Sequence, residues 1–118
     1  MREELVEAVL RVVEEIPAGR VATYGMIARA LGTGPRVVGR IMHDWGGGVP
    51  WWRVVSVHGT FPTTVRGEGF FEWEREGIPH DSTRGKVLMK ECVVEQEWLD
   101  SVARSVIENL QNNAELSD

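Results

Sequence analysis

The chain has 118 residues, one cysteine and a formal net charge of −5 at pH 7. This length predicts a single compact domain, and the sequence contains no apolar run of about 18 residues that would suggest a transmembrane helix. The charged start "MREELVEAVL" is unlike a secretory signal, and Cys92 alone offers neither an internal disulfide nor a cluster of metal ligands. We therefore expect a cytoplasmic protein with no cofactor, no metal and no membrane association.

Charge is distributed unevenly along the chain. Between Ala18 and Arg66 there are six arginines and a single acid, Asp44, so this segment has a net charge of +5 and the remainder has −10. The six are Arg20, Arg29, Arg36, Arg40, Arg53 and Arg66. A local basic surface matters more for nucleic-acid binding than the charge of the whole chain. Composition alone leaves two interpretations open, a nucleic-acid-binding face and an ordinary solvated surface.

The first half of the chain predicts three helices. Residues 2–15 have an amphipathic pattern that ends at Pro17 and Gly19. The apolar stripe of this helix comprises Leu5, Ala8, Val9, Val12, Val13 and Ile16. Thr23 is expected to cap the second helix, "YGMIARAL", in which Ile27, Ala28 and Leu31 face inward. Gly32 is expected to end it.

A third helix, "PRVVGRIMHDW", is expected to follow a cap at Thr33, with Pro35 in its first turn. Two short helices joined by a short turn that contains glycine are typical of a helix-turn-helix, although many helical hairpins bind nothing.

The second half predicts shorter and more mixed elements. "GGG" at 46–48 is expected to be a flexible loop, and "RVVSV" a short strand. Strand geometry near that position would place Trp51 and Trp52 on opposite faces, so at least one would be presented outside the fold. A helix is predicted over 68–76, and "GKVLMKECVV" is expected to include a strand. A last helix over 95–113 is expected to have one apolar face formed by Trp98, Leu99, Val102, Val106 and Leu110.

These elements indicate a mostly α member of the α/β class, a small winged-helix-like helix-turn-helix domain. We expect residues 1–94 to form this domain and residues 95–118 to form a helical extension packed on it.

Two stretches connect this architecture to a known family. "IPAGRVATYGMIARALG", followed by "RVVGRIMHDWGGGVPWWRVVSVHGT", resembles the DNA-binding domain of O6-alkylguanine-DNA alkyltransferases, and the resemblance extends over Glu3 to Val94. In those enzymes a cysteine and a histidine follow "VP", and the cysteine accepts the alkyl group. Trp51 and Trp52 occupy these positions here. The chain therefore resembles the alkyltransferase-like branch, which is not enzymatic.

The chemistry of the two tryptophans agrees with that branch. Alkyl transfer needs a nucleophile such as a thiolate, whereas an indole offers a hydrogen-bond donor and a π surface. Trp52 also cannot act as the base that a histidine supplies. Cys92 lies outside the motif, and a lone cysteine is usually a small buried hydrophobe. An alternative remains open, a divergent alkyltransferase that uses another acceptor such as Cys92.

The resemblance implies how duplex DNA is recognised. The recognition helix enters the minor groove, and a damaged base is flipped out of the duplex. Arg36 matches the finger arginine that fills the resulting gap, and Tyr24 matches the tyrosine that crowds the phosphate of the flipped nucleotide. Gly39 would permit close approach of the backbone. Unremarkable roles in surface solvation or packing are the alternatives for these three residues.

The flipped base needs a pocket, and the resemblance places Trp51 in its wall. Met42 matches a pocket position but suits the core equally well, and Val54 matches one through its backbone. Arg66 lies in a loop that is shorter than in the family, where it would contact either the lesion or a phosphate. Arg53 is expected to bind nearby backbone or acidic groups. Trp52 is expected either to take the place of the family histidine or to lie against the helix of Phe70 and Trp73.

The resemblance therefore implies a monomeric protein that binds O6-alkylguanine in double-stranded DNA without dealkylating it. It also implies that nucleotide-excision-repair proteins are recruited to the bound site. A generic winged-helix regulator that reads sequence in the major groove is a further alternative, but it assigns no role to the tryptophan pair.

Overall fold

The computed structural model describes residues 3–61 and 65–117, with side chains described as far as residue 113. The elements run in the order α1 (Glu3–Glu15), β1 (Ala22–Thr23), α2 (Tyr24–Leu31), α3 (Pro35–Trp45), β2 (Val54–Val55), α4 (Arg66–Glu76), β3 (His80–Asp81), β4 (Lys86–Val87), α5 (Met89–Cys92) and α6 (Gln96–Ser117). β1 pairs in parallel with β2, and β3 pairs antiparallel with β4. The predicted fold class, a mostly helical winged-helix-like domain, is confirmed. Within the described ranges, no helix has the length and apolar character needed to cross a membrane.

The main core lies between α1, α2, α3 and α6. The stripe predicted on α1 is confirmed, with every member buried except Leu5, which is half-buried against the same core. Ile27 and Ala28 bring α2 into this core, and Val38 and Ile41 bring in α3. Residue 2, where the predicted first helix begins, lies outside the described residues. The two helices of the helix-turn-helix, α2 and α3, are therefore fixed by packing against α1 and α6.

The start of α2 agrees with the sequence, whereas the start of α3 does not. Thr23 Oγ1 accepts a hydrogen bond from the Met26 N–H at 3.0 Å, which confirms the predicted cap. Gly32 ends α2 in the left-handed conformation, with φ 70°. The prediction that Thr33 caps α3 is wrong, because Gly34 takes the cap position directly before Pro35 and no side chain caps this helix. The Thr33 N–H instead belongs to the end of α2, where it donates to the Ala28 carbonyl at 2.9 Å.

Two predictions for residues 46–57 are also wrong. "GGG" is a 3₁₀ turn, Gly46–Gly48, in which Gly46 is buried, and not a loose loop. The expected strand is limited to Val54–Val55, because Trp51–Arg53 forms a second 3₁₀ turn. In such a turn successive side chains are about 120° apart. The opposite placement of Trp51 and Trp52, expected from strand geometry, therefore does not occur.

A second, smaller core surrounds α4. Trp73 is fully buried at its centre and stacks on Phe61, with ring centroids 4.3 Å apart. The predicted helix over 68–76 is confirmed, although it begins at Arg66. The expected strand in "GKVLMKECVV" is β4, and the rest of that segment contains the short helix α5.

α6 packs on α1 and α2 through Leu99, Ala103 and Val106, all of which are buried in the main core. The predicted position of Trp98 on this face is wrong, since its side chain is 37% exposed. Adjacent residues on an α-helix are rotated by about 100°, so burying Leu99 turns Trp98 toward the edge.

Gly69 provides a test of the packing between α4 and Phe61. A methyl group at Gly69 would overlap the Phe61 ring, whereas one at Gly67 in the same helix would contact no described atom. We expect Gly69→Ala to lower the free energy of unfolding by about 1–3 kcal/mol through overpacking. Gly67→Ala should instead raise it by up to about 1 kcal/mol, because alanine favours a helix. Urea denaturation of both variants checks this, and equal effects would contradict the close contact.

Candidate DNA-lesion site

A cavity of about 310 Å³ lies beside the helix-turn-helix. It is surrounded by residues of α2, α3, the Gly46–Gly48 turn and the start of α4. Trp51 also forms part of its wall. The residues that line it are Tyr24, Gly39, Met42, His43, Gly46, Gly47, Trp51, Phe61, Val65 and Glu68. The structure thus brings together four of the seven predicted site residues, Tyr24, Gly39, Met42 and Trp51, from three separate stretches of the chain.

Trp51 is held between two other aromatic rings. Its ring meets Trp52 and Phe61 edge to face, with a centroid distance of 5.7 Å in each case. Such edge-to-face pairs are favoured by the aromatic quadrupole. The side chain is half-buried and packs against both cores. Trp51 is therefore a fixed, partly exposed aromatic surface in the cavity wall.

Tyr24 and Gly39 lie on the two helices of the helix-turn-helix. Tyr24 is half-buried at the first position of α2, and burial raises the pKa of its phenol. The hydroxyl therefore remains a neutral hydrogen-bond donor at physiological pH. A Cβ at Gly39 would meet no described atom within 4 Å, so packing between helices does not require glycine there. Met42, next to the cavity, is 8% exposed and also belongs to the core.

The other three predicted site residues do not line the cavity. Arg36 is exposed in the first turn of α3, and Arg66 is exposed at the first position of α4. Val54 is fully buried in β2, where it is paired with Ala22. Part of the loop that the resemblance predicts to be shortened, residues 62–64, lies outside the described residues.

Arg53 connects the 3₁₀ turn Trp51–Arg53, here called the tryptophan turn, to α4 and to the end of α1. Its guanidinium binds both oxygens of Glu76, with Nε 3.0 Å from Oε1, and donates from Nη1 to the Ile16 carbonyl at 2.7 Å. Glu76 Oε1 also accepts the Gly19 N–H at 3.2 Å. Burial alone would raise the pKa of Glu76, but the hydrogen bonds from Arg53 and Gly19 hold it below its usual value. The expected structural role of Arg53 is confirmed.

Trp52 lies against α4, the second of its two expected positions. Its carbonyl accepts the indole N–H of Trp73 at 2.8 Å. Its ring lies near the guanidinium groups of Arg53 and Arg75, at 5.9 and 5.8 Å from the centroid. The indole N–H of Trp52 is buried close to the Glu76 carboxylate but does not have the geometry of a hydrogen bond to it. This N–H nevertheless helps to lower the pKa of Glu76.

Comparison with known proteins places this geometry in a family. Residues 4–77 match the family "6-O-methylguanine DNA methyltransferase, DNA binding domain". The chain belongs to this family, in its alkyltransferase-like branch. Among curated proteins, no significant match was found.

Two solved structures of alkyltransferase-like proteins from S. pombe are similar to this chain. One is Atl1 in complex with damaged DNA containing O6-carboxymethylguanine, with 31% identity and a TM-score of 0.68. The other is the S. pombe protein in complex with DNA, with 32% identity and a TM-score of 0.69. Each similarity covers 80% of this chain and 99% of the S. pombe chain. The alkyltransferase-like fold is thus shared over almost the whole of those proteins.

Cys92, the one cysteine of this alkyltransferase-like chain, is completely buried in the second core. Its thiol donates to the Leu88 carbonyl at 3.4 Å, and burial raises the pKa of the thiol. Both observations disfavour a thiolate. Within the described part of the chain, no group of three or more acidic, histidine or cysteine side chains is arranged to hold a metal ion.

Three of the six arginines of the basic segment are bound to other groups of the protein. Arg20 donates to the carbonyls of Cys92 and Val93, Arg53 is paired with Glu76, and Arg40 is paired with Asp44 at 2.9 Å. Within the described residues, no ion pair is formed by Arg29, Arg36 or Arg66, all of which are exposed. Fewer arginines are therefore free for phosphates than the charge count suggests.

Sequence reasoning missed Phe61 and Glu68 as lining residues. Phe61 follows the Gly59 turn and gave no periodic signal, because only the fold brings it beneath Trp51. Glu68 lies one turn before Glu72 on α4, and helical spacing could have placed both on one face. A neighbouring groove of about 440 Å³ is indeed lined by Trp51, Trp52, Gly67, Glu68, Phe71 and Glu72.

Proposed function

We propose that this protein binds O6-alkylguanine in duplex DNA through the minor groove and holds the flipped base in the cavity beside Trp51, without dealkylating it. The observation that carries the proposal is the position of Trp51, fixed by two aromatic neighbours in a cavity of about 310 Å³ next to α3. The presence of damaged DNA in the S. pombe Atl1 complex supports a DNA lesion as the ligand.

In this proposal, stacking on Trp51, the aromatic residue in the cavity wall, offsets the free-energy cost of base flipping. Flipping a base costs a few kcal/mol, and less when the base is damaged. Stacking on one aromatic ring contributes about 1–3 kcal/mol per base, so Trp51 offsets a large share of that cost. Arg36 would fill the gap in the duplex, because a planar guanidinium can both stack and hydrogen-bond to the base left unpaired. Tyr24, as a neutral donor beside the cavity, would contact the phosphate of the flipped nucleotide.

The absence of dealkylation is proposed from the residues at the acceptor position. The indole of Trp51 cannot generate a thiolate, and the neighbouring Trp52 is not a base. Cys92 would have to leave the core to react. Binding without transfer would leave a persistent complex on the lesion. We further propose, from the resemblance, that this complex acts in the cytoplasm as a mark for nucleotide-excision-repair proteins.

A titration at one fixed salt concentration tests this function. Duplexes that differ only in guanine or O6-methylguanine would be compared, followed by intact-mass analysis of the protein and quantification of the lesion. Tighter binding to the lesion, with protein mass and lesion content unchanged, is the expected result. A gain of one methyl group in protein mass would instead show an enzyme, and equal affinity for both duplexes would remove the proposed pocket.

The coupling to repair requires a separate measurement in cells. Loss of the gene should increase sensitivity to alkylating agents in repair-proficient cells but add nothing when nucleotide excision repair is already absent. Additive sensitivity would contradict the proposed order of events.

Arg36→Ala should separate lesion recognition from general DNA binding. We expect this variant to lose about tenfold or more of its affinity for O6-methylguanine duplexes, corresponding to at least about 1.4 kcal/mol, because Arg36 would no longer fill the gap. Affinity for undamaged duplex should fall much less. Fluorescence anisotropy with both duplexes measures the two losses. Arg104→Ala, which removes an exposed arginine from α6, is the matched control. Equal losses on both duplexes would show that Arg36 is only a phosphate contact.

A further inference from the structure

Glu68 occupies a position between the cavity and the neighbouring groove. It lines both, as does Trp51, and it lies in the first turn of α4. A substituent on a base held against Trp51 and extending toward the groove would therefore pass Glu68. Glu68 thus places a carboxylate on the boundary that the two spaces share.

No cation balances Glu68 within the described residues. The other acid in the groove, Glu72, accepts a hydrogen bond from Arg75 at 2.9 Å and is neutralised by it. Among the described residues, Glu68 forms no ion pair, and neither space is lined by a lysine or an arginine. Arg66 is only two positions away, but residues at that spacing on a helix do not face each other. His43, on α3, also lines the cavity.

We propose that Glu68 makes this site select uncharged or cationic O6 substituents over anionic ones. The inference rests on the proposed function, since it assigns a specificity to the same cavity. It predicts a difference from S. pombe Atl1, whose complex contains the anionic O6-carboxymethylguanine. Because Glu68 is exposed, solvent screens its charge. Two like charges roughly 8 Å apart in water disfavour binding by about two- to threefold, and this is the discrimination expected against a carboxylate.

The test separates charge from size. O6-carboxymethylguanine is compared with O6-carbamoylmethylguanine, its neutral amide of nearly equal size, in otherwise identical duplexes. The wild-type protein should bind the amide about two- to threefold more tightly than the carboxylate. Glu68→Gln should reduce this ratio to about one, while Glu97→Gln, an equal charge change on an exposed α6 residue, should leave it unchanged.

The ratio between the two adducts is the decisive readout, because removing an acid can also strengthen DNA binding generally. Equal affinity of the wild-type protein for both adducts would overturn the inference, as would an unchanged ratio in Glu68→Gln. Guanine and O6-methylguanine duplexes are measured in parallel. Loss of preference for O6-methylguanine would refute the proposed function itself, whereas preserved preference with no charge discrimination would refute only the role of Glu68.

Discussion

Replacing Trp51 by alanine is expected to reduce the preference for O6-methylguanine over guanine by roughly 5- to 150-fold, because stacking of an aromatic ring on a base contributes about 1–3 kcal/mol. The ring is already fixed between Trp52 and Phe61 in the free protein, so little side-chain freedom is lost when a base stacks on it. Trp51→Phe keeps a smaller aromatic face and should have an intermediate effect. Competition binding with paired duplexes measures the preference.

Trp51 also packs against both cores, so the alanine variant will be less stable as well as less selective. Binding should therefore be measured at a temperature at which thermal unfolding shows every variant to be folded. Trp98→Ala removes a partly exposed tryptophan from α6 and should preserve the preference. An unchanged preference in Trp51→Ala would exclude Trp51 from the pocket, whatever its effect on stability.

Every α-helix except the four-residue α5 could be predicted, because its sequence has an apolar stripe or an identifiable cap. The stripe of α1 is buried as expected, and Thr23 caps α2. Trp98 was misplaced because an apolar residue at the edge of a stripe cannot be distinguished from a buried one by hydrophobicity alone. Thr33 was expected to cap α3 because threonine is a good cap residue and glycine is a weaker one, but the helix begins one residue later, after Gly34.

The candidate site could be predicted only in part from the sequence, because it depends on contacts between residues far apart in the chain. Sequence motifs placed Tyr24, Gly39, Met42 and Trp51 in the same site, and the fold brings them to one cavity. The geometry of the tryptophan pair was missed because two valines after "WWR" suggested a strand that extends further than it does. Arg20 donates to the carbonyl of Cys92, far along the chain, so a charge count treated it as free. Arg53 was expected to be paired, but its partner Glu76 could not be identified from local patterns. Long-range pairing is the information that local patterns lack.

The Arg53–Glu76 pair connects the site to the stability of the fold. Its hydrogen bonds join the end of α1, the Trp51–Arg53 turn and the last residue of α4. The orientation of Trp51 therefore depends on a pair that lies outside the cavity. Weakening the pair should loosen the turn and, with it, the aromatic wall.

Glu76→Gln is accordingly expected to lower the free energy of unfolding by about 3–5 kcal/mol, because it leaves Arg53 buried without a counter-charge. The side chains of Arg53 and Glu76 are only 15% and 3% exposed, so solvent screens this pair little. Glu72→Gln breaks the more exposed pair with Arg75 and should cost less than about 1 kcal/mol. Urea denaturation of both variants measures the difference, and comparable losses would contradict a special role for Glu76.

The same pair predicts the behaviour of the wild-type protein in acid. Because the pKa of Glu76 is lower in the folded protein than in the unfolded chain, its contribution is complete above the unfolded value of about 4.3 and is lost as the pH falls through the folded value. Glutamine does not titrate, so stability should fall less steeply with decreasing pH in Glu76→Gln below about pH 4.3. If the free energy of unfolding fell equally with pH in the wild type and in Glu76→Gln over that range, protonation of Glu76 would not be a cause of the loss of stability in acid.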